Sequence, residues 1–418
     1  MQTTYPVLTD TTADAAEDSL TFGRYLDPLE RILLNPLTST PLTIGVFGAW
    51  GSGKSTLLQM LSARLKPRQF LCVDFNPWIY RKEPSMLIPL LHTLHDELDR
   101  EVGGRKFTES AKKIFDILAR LGADAMLKAV TVGAISTEKL DKLEETYLKT
   151  SGSLTSDIRK LRSILQREAD ELAKAGTKIV IFIDDLDRCE PEQIIDVLES
   201  TKLFLDLENV VVIIAIDKEV IDRGIQVKYN KFNFASDREY VIGAEYLEKM
   251  IQLPLQLYPL LPSQVGALIK KLAPPGVALV ENHVEFLQKV LIPNPRKIKR
   301  VLNILTLTDS IRKATGELGN LEEMPIVTLV LLQVQYPELY SHATRHRELL
   351  FALEDVYAGT RNPADEASFL SFGSKGEALR KLCLKFYDPT GPLPEIFGSG
   401  IFNKSKAELP AFMSMLGA

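Results

Sequence analysis

The chain has 418 residues, a formal net charge of −5, 45% hydrophobic residues and 25% charged residues. These values are those of an ordinary globular protein and exclude collagen-like, low-complexity and disulfide-scaffold classes. At ~100–200 residues per domain, the length indicates two or three domains. The negative net charge gives no global attraction to nucleic acid and leaves only a local basic face for such contacts.

Cysteine content and hydropathy favour a cytoplasmic protein. Cys72, Cys189 and Cys383 are odd in number and far apart, so neither a disulfide framework nor a cysteine zinc site is indicated. The first twenty residues lack the basic start and apolar core of a secretory signal. The uncharged stretch 250–269 contains three prolines, which would interrupt the hydrogen bonding of a membrane span. We therefore expect no membrane insertion, and an extended, buried connector at 250–269.

Apolar and helical patterns alternate through the first 175 residues. The spacing predicts a helix at 22–34 and strands at 42–47 and 70–75. The segment 85–150 has a variable, helix-like pattern and is interpreted as an insertion, and helical spacing continues over 156–175.

Two further strands are expected at 179–183 and 210–216, because both are apolar on both faces, as in a covered parallel sheet. Pro191 suits the first turn of a helix over 191–206, and the pattern from about residue 257 onward is mostly helical. The predicted fold is α/β, with a three-layer core around a parallel sheet, then a helical lid and a C-terminal helical module. The corresponding boundaries are 1–256 for the core (with a helical insertion at 85–175), 257–320 for the lid and 321–418 for the module.

A glycine-rich loop joins the first predicted strand to a helix. Residues 48–55, GAWGSGKS, have the spacing G-x-x-x-x-G-K-S. Glycines allow successive N–H groups to point inward around an anion, and the start of the next helix adds its dipole. Lys54 is expected to face solvent without ligand and to reach the β- and γ-phosphates of a nucleotide, and Ser55 is expected to bind Mg²⁺. The predicted nucleotide contacts are Gly48, Trp50, Gly51, Ser52, Gly53, Lys54, Ser55 and Thr56.

An ordinary strand-to-helix turn is the alternative interpretation of this loop. The strand before it and the helix after it favour the phosphate site.

Two adjacent carboxylates, Asp184 and Asp185, follow the strand at 179–183. A P-loop enzyme holds Mg²⁺ with the loop hydroxyl and with an acid that ends a neighbouring strand. Asp184 is predicted to hold the metal through water, and Asp185 to orient or deprotonate the attacking water. A solvated turn is the alternative, because Asp is common in turns.

Other candidates have two or more interpretations. Asp217, after the strand at 210–216, either senses the γ-phosphate or caps the next helix. Arg296 and Arg300 share one helix face and either reach the nucleotide, contact nucleic-acid phosphates or form a solvated basic face. Trp78 either stacks on a base or packs within the protein.

Arg188 lies just after the acid strand. Because phosphoryl transfer usually requires an arginine, Arg188 is predicted to reach the nucleotide of a neighbouring subunit, which implies a homo-oligomer. The alternative is a local ion pair with Asp187 or Glu190.

Five motifs together resemble the KAP family of P-loop NTPases: WGSGKST, FNPWIY at 75–80, DDLDRC at 184–189, EYLEKMIQLP at 245–254 and PRKIKRVLN at 295–303. The resemblance covers about residues 18–305 and is to the soluble bacterial type, because a polar helical segment stands where many members carry transmembrane helices. It implies an ATPase related to the STAND and AAA+ groups, with Arg300 facing the nucleotide. It also implies protein partners in a multi-component system such as bacterial anti-phage defence.

ATP and Mg²⁺ are therefore the expected ligands, and ATP is preferred because the guanine signature N-K-x-D does not occur. The predicted activity is ATP hydrolysis that drives a switch or motor. Two alternatives stay open: a scaffold that binds ATP with negligible turnover, and an ATPase that handles DNA through the basic cluster at 296–300.

Overall fold

The computed structural model divides into two compact units. One comprises Thr12–Tyr258, and the other comprises Pro259–Ala418 together with Met1–Thr11. The predicted division of the second unit into a lid and a module stays a prediction. Most of the predicted insertion lies outside the described residues, which are 7–9, 22–83, 86–102, 159, 161–229, 246–314 and 321–415.

The first unit contains a five-stranded, all-parallel sheet with the order β2-β3-β4-β1-β5. The positions of the first four strands confirm the sequence prediction. The strands are β1 (Leu42–Phe47), β2 (Phe70–Phe75), β3 (Lys178–Ile183), β4 (Val210–Ile216) and β5 (Leu253–Gln256).

The prediction for residues 250–269 was wrong, because this stretch is not an extended buried connector. Its first part forms β5, which pairs with β1, and Pro262 begins a helix. Pro254 has no N–H, so it cannot donate a hydrogen bond to a neighbouring strand. β5 tolerates this proline because β5 lies at the edge of the sheet. The residues of β5 are alternately half-buried and exposed, as on an edge strand.

Helices cover both faces of this sheet, which gives the predicted three layers. Alternate side chains of β2, β3 and β4, such as Val73, Ile181 and Val212, share one hydrophobic core with Leu90 and Ile194 from two of the helices. Since successive side chains of a strand point to opposite faces, the other set faces α2, which contacts β2 and β4. The helices are α1 (Gly23–Leu34), α2 (Lys54–Leu65), α3 (Leu87–Val102), α4 (161–174), α5 (Pro191–Phe204) and α6 (Lys218–Tyr229).

The strand order decides which loops meet. Parallel strands end at the same edge of the sheet, and ligands of open α/β sheets bind outside those carboxyl ends. Because β4 lies between β1 and β3, Asp217 lies between the glycine loop and the Asp184–Asp185 pair. Asn76 follows β2, next to β3, at the same edge.

The described part of the second unit is helical. Its longest helix, α10, begins after Asn294, whose side chain accepts hydrogen bonds from the N–H groups of Arg296 and Lys297 and so caps the helix. The helices are α7 (Pro262–Leu272), α8 (Ala278–Glu281), α9 (Val284–Val290), α10 (Pro295–Ala314), α11 (Glu323–Gln335), α12 (Pro337–Arg345), α13 (Glu348–Tyr357), α14 (Gly376–Phe386), α15 (Leu393–Phe397), α16 (Ile401–Lys404) and α17 (Leu409–Met415).

Within the described ranges, we find no helix that is both long enough and apolar enough to cross a bilayer.

Candidate nucleotide site

The glycine loop turns sharply between β1 and α2. Gly51 and Gly53 have φ angles of +83° and +99°, in the left-handed region that favours glycine. A Cβ on Gly48 would lie 2.6 Å from the Ser52 hydroxyl oxygen, so a side chain at residue 48 would close the loop interior. The N–H of Gly48 donates to the carbonyl of Ile216 and fixes the start of the loop to the end of β4.

Lys54 is buried, with 7% of its side chain exposed, so the expectation that it faces solvent was wrong. Its ammonium group donates to the carbonyls of Gly48 at 2.8 Å and Ala49 at 3.4 Å. The carboxylate of Asp187 lies 3.6 Å from the same nitrogen. The expectation failed because the loop curls and points its carbonyl oxygens toward the lysine. The lysine ammonium therefore has hydrogen-bond and ion-pair partners inside the protein.

Ser55 and Asp184, the two predicted metal ligands, are in direct contact. The Ser55 hydroxyl hydrogen-bonds to the Asp184 carboxylate, which also accepts from the N–H of Asp185 at 2.9 Å. Burial raises the pKa of Asp184, the hydrogen bond from Ser55 opposes that rise, and the neighbouring carboxylates of Asp185 and Asp187 add to it. Three carboxylates near one hydroxyl form a region that a cation would stabilise.

Asp185 has a backbone conformation that is uncommon for a residue with a side chain, with φ at +55°. Its carboxylate accepts a hydrogen bond from the Asn76 amide at 2.9 Å. The guanidinium of Arg188 lies 2.9 Å from its other oxygen. Asp185 is therefore held between two partners at the carboxyl edge of the sheet.

Arg188 forms a local ion pair, but not with the partners that the sequence suggested. Its partner is Asp185, whereas Asp187 pairs with Lys54, and Glu190 is the N-cap residue of α5, where its N–H donates to the Gln193 side chain at 3.3 Å. The 3₁₀ turn Leu186–Arg188 explains this choice, since it points Asp187 and Arg188 in different directions. The role of Arg188 toward a neighbouring subunit stays a prediction.

Trp78 is 36% exposed and lies on the surface beside Arg188. The guanidinium carbons of Arg81 and Arg188 are 4.9 Å and 5.3 Å from its ring centre, within cation–π range. Trp78 therefore packs against charged groups of its own chain.

Three other predicted residues have simpler surroundings. The Asp217 carboxylate accepts from the N–H of Glu219 at 3.2 Å, which is a helix-capping contact. Trp50 is 66% exposed on the loop, and Thr56 is half-buried in the first turn of α2. Nucleotide contact by these three residues stays a prediction.

Arg300 is in the second unit, where it is exposed on α10. Lys299, from the same basic cluster, donates to the carbonyl of Thr9 at 2.9 Å. The contact of Arg300 with nucleotide stays a prediction.

Asn76 and Asp187 belong to the site, and the sequence analysis assigned them no function there. Asn76 is in the FNPWIY motif directly after β2, and a polar residue at the end of a predicted strand was a usable signal. Asp187 had no comparable signal, because its pairing with Lys54 depends on the fold.

The sequence model of the KAP family P-loop domain matches residues 22–312. The chain belongs to the KAP family. This confirms the family resemblance of the five motifs.

Two relatives of this KAP chain share less than a third of their residues with it over the matched ranges. The phage T7 exclusion protein of Escherichia coli (strain K12) is 22% identical over 258 residues, which cover 58% of this chain and 34% of that protein. The uncharacterized protein MJ0182 of Methanocaldococcus jannaschii is 27% identical over 175 residues, which cover 35% of this chain and 89% of that protein. The KAP chain thus spans about a third of the length of the phage T7 exclusion protein.

Solved structures also align with the KAP chain, and one of them covers most of it. The alignment with Cdc6p from Pyrobaculum aerophilum includes 94% of this chain and 88% of the Cdc6p chain. Its TM-score is 0.38 and the sequence identity is 12%.

Proposed function

We propose that this KAP chain is a Mg²⁺-dependent ATPase. The observation that supports the proposal is the meeting of Lys54, Ser55, Asp184 and Asp185 at the carboxyl edge of one parallel sheet. These are the residue types that a phosphate, a divalent cation and an attacking water require at that place.

The loop fits a phosphate group. The buried hydroxyl of Ser52 has no hydrogen-bond partner among the described residues, and the space beside it exists only because residue 48 is glycine. The ammonium of Lys54 is held by loop carbonyls, which a phosphate oxygen can replace as a stronger, charged acceptor. The Ser55–Asp184 pair provides oxygen ligands of the kind that Mg²⁺ prefers.

In the proposed reaction, water attacks the γ-phosphorus of ATP, the bond from that phosphorus to the β–γ bridging oxygen breaks, and ADP and phosphate leave. Lys54 and the loop N–H groups hold the β- and γ-phosphates, and Ser55 and Asp184 hold the metal. Mg²⁺, when bound, neutralises the charge that develops on the phosphate oxygens. Asp185 orients the water and accepts its proton.

We propose further that hydrolysis drives a switch or motor in a cytoplasmic complex of several proteins. The name of the Escherichia coli relative, phage T7 exclusion protein, supports a role in anti-phage defence. In this proposal Arg300 and Asp217 sense the γ-phosphate, and Arg188 acts on the nucleotide of a neighbouring subunit.

Calorimetric titration with MgATP and single-turnover phosphate release test the ATPase proposal. Lys54→Met, which keeps most of the buried volume, is expected to weaken ATP binding at least ~10-fold because a charge-assisted hydrogen bond contributes ~1.5–3 kcal/mol. Lys66→Met is the matched control, since Lys66 is 58% exposed and pairs with Asp74 away from the loop.

Equal affinity of wild type and Lys54→Met would refute the phosphate site. Tight binding without single-turnover hydrolysis would favour the ATP-bound scaffold.

A further inference from the structure

One short turn forms two ion pairs, one with the glycine loop and one with the acid pair that follows β3. In the 3₁₀ turn Leu186–Arg188, Asp187 lies 3.6 Å from the Lys54 ammonium and Arg188 lies 2.9 Å from the Asp185 carboxylate. Leu186 is buried at 1% exposure and anchors the turn in the core. The phosphate-binding lysine and the candidate base are therefore connected through adjacent residues.

The two pairs differ in how tightly the protein encloses them. Asp187 and Lys54 are 13% and 7% exposed, so a loss of the lysine would leave a carboxylate unpaired in a poorly solvated place. Arg188 is 37% exposed and can leave Asp185 for water without such a cost.

We propose that the Leu186–Arg188 turn is a coupling element that keeps Asp185 restrained until nucleotide occupies the loop. Nucleotide phosphates carry more negative charge than one carboxylate and draw Lys54 from Asp187. Asp187 then turns toward solvent, the Leu186–Arg188 turn shifts about Leu186, and Arg188 leaves Asp185. Arg188 is in this respect a positioning residue, and the inference rests on the proposed nucleotide site.

The protein contains its own reporter of this movement. The chain has two tryptophans, and Trp78 lies against the Arg188 guanidinium. The other, Trp50, is exposed on the glycine loop and is a predicted nucleotide contact, so Trp50→Phe keeps an aromatic ring there while leaving Trp78 as the single indole. The wild-type protein, with Trp78→Phe as its reference, gives the Trp78 signal with Trp50 retained. Departure of Arg188 uncovers Trp78 and makes it more accessible to a soluble quencher.

Acrylamide quenching of Trp78 in the Trp50→Phe protein, with and without Mg²⁺ and β,γ-imido-ATP, is the experiment. We expect the quenching constant to rise when the analogue binds. Asp187→Asn in this background should raise the quenching constant without nucleotide and abolish any further rise when the analogue binds. Glu192 is an exposed acid of the next helix, and Glu192→Gln should keep the rise on binding. Arg188→Gln should give the high quenching constant at all times, and Arg188→Lys a lower one.

Calorimetry with the same analogue on each protein separates nucleotide binding from the coupling through the turn. Binding without any change at Trp78 overturns the coupling and leaves the nucleotide site standing. A full response in Asp187→Asn also overturns the coupling, because the signal then comes from the nucleotide directly. Absence of binding in the Trp50→Phe and wild-type proteins alike refutes the nucleotide site and the coupling together.

Discussion

At the scale of single residues, Asp185 combines a left-handed backbone with two side-chain partners. This conformation costs a residue with a Cβ about 1–2 kcal/mol. The cost is smaller for Asp, because its side chain can form local hydrogen bonds. Such conformations persist where the surrounding contacts fix them, and they cluster at functional sites. Here Asn76 and Arg188 fix the carboxylate.

Asp185→Asn is expected to retain MgATP binding and to slow hydrolysis by a factor on the order of 10²–10⁴, the range for loss of a general base. The amide keeps the size of the side chain and can still contact Asn76, but it cannot accept the proton of water. Calorimetry and single-turnover phosphate release measure the two effects separately.

Asp184→Asn is the companion variant. Because Asp184 contacts Ser55, its replacement should instead raise the Mg²⁺ concentration that hydrolysis requires. If both variants lost ATP binding equally, the division of roles between the adjacent carboxylates would be wrong.

At the scale of elements, a polar network joins α10 and α11 of the second unit to the turn before α9. Glu323 accepts hydrogen bonds from Arg312 at 2.6 Å and Asn282 at 2.9 Å. His283 lies near it, with 3.8 Å between its Nδ1 and a Glu323 oxygen. Burial lowers the pKa of His283, the Glu323 charge opposes this, and the Arg312 charge adds to it.

This network predicts that acid destabilises the second unit. The folded state favours neutral His283. As the pH falls below the ordinary pKa of 6.5, the unfolded chain therefore binds a proton that the folded chain does not, and the free energy of unfolding decreases in that pH range. The lowered pKa of Glu323 adds a further loss below its ordinary value of 4.5.

The measurement is the free energy of unfolding in urea at pH values from about 7.5 to about 5.5, on either side of the ordinary pKa of histidine. His283→Gln should flatten this dependence, and His346→Gln, at an exposed position, should not. An equal slope in His283→Gln and wild type would assign the acid sensitivity to other groups.

At the scale of the whole molecule, the proposed trans role of Arg188 predicts that specific activity rises with protein concentration. Arg188→Ala and Lys54→Ala should each be nearly inactive alone. Their mixture should recover activity, because the Lys54→Ala subunit supplies its arginine to the intact phosphate site of the Arg188→Ala subunit. Phosphate release over a dilution series and from the mixture measures both effects.

A flat concentration profile without recovery on mixing would leave Arg188 with only its local pair to Asp185. Higher activity of Arg188→Ala than of wild type at every concentration would also refute the trans role.

The sequence by itself determined four of the five strands and the chemical parts of the site. β4 and residues 179–183 of β3 are uniformly apolar, and the glycines, lysine and serine of the loop lie within eight consecutive residues, so local pattern is enough to find them. The adjacent acids after β3 were found in the same way, and the family followed from the motifs.

Only the tertiary structure decided how these parts are paired. Asn76 and Asp185 are 109 positions apart and meet because β2 and β3 are neighbours, which no local pattern specifies. The burial of Lys54 against Asp187 and the place of β5 at the sheet edge also depend on strand order. Sequence spacing fixes which residues follow each strand, whereas contacts between strand ends exist only once hydrogen bonding has set the order of the strands.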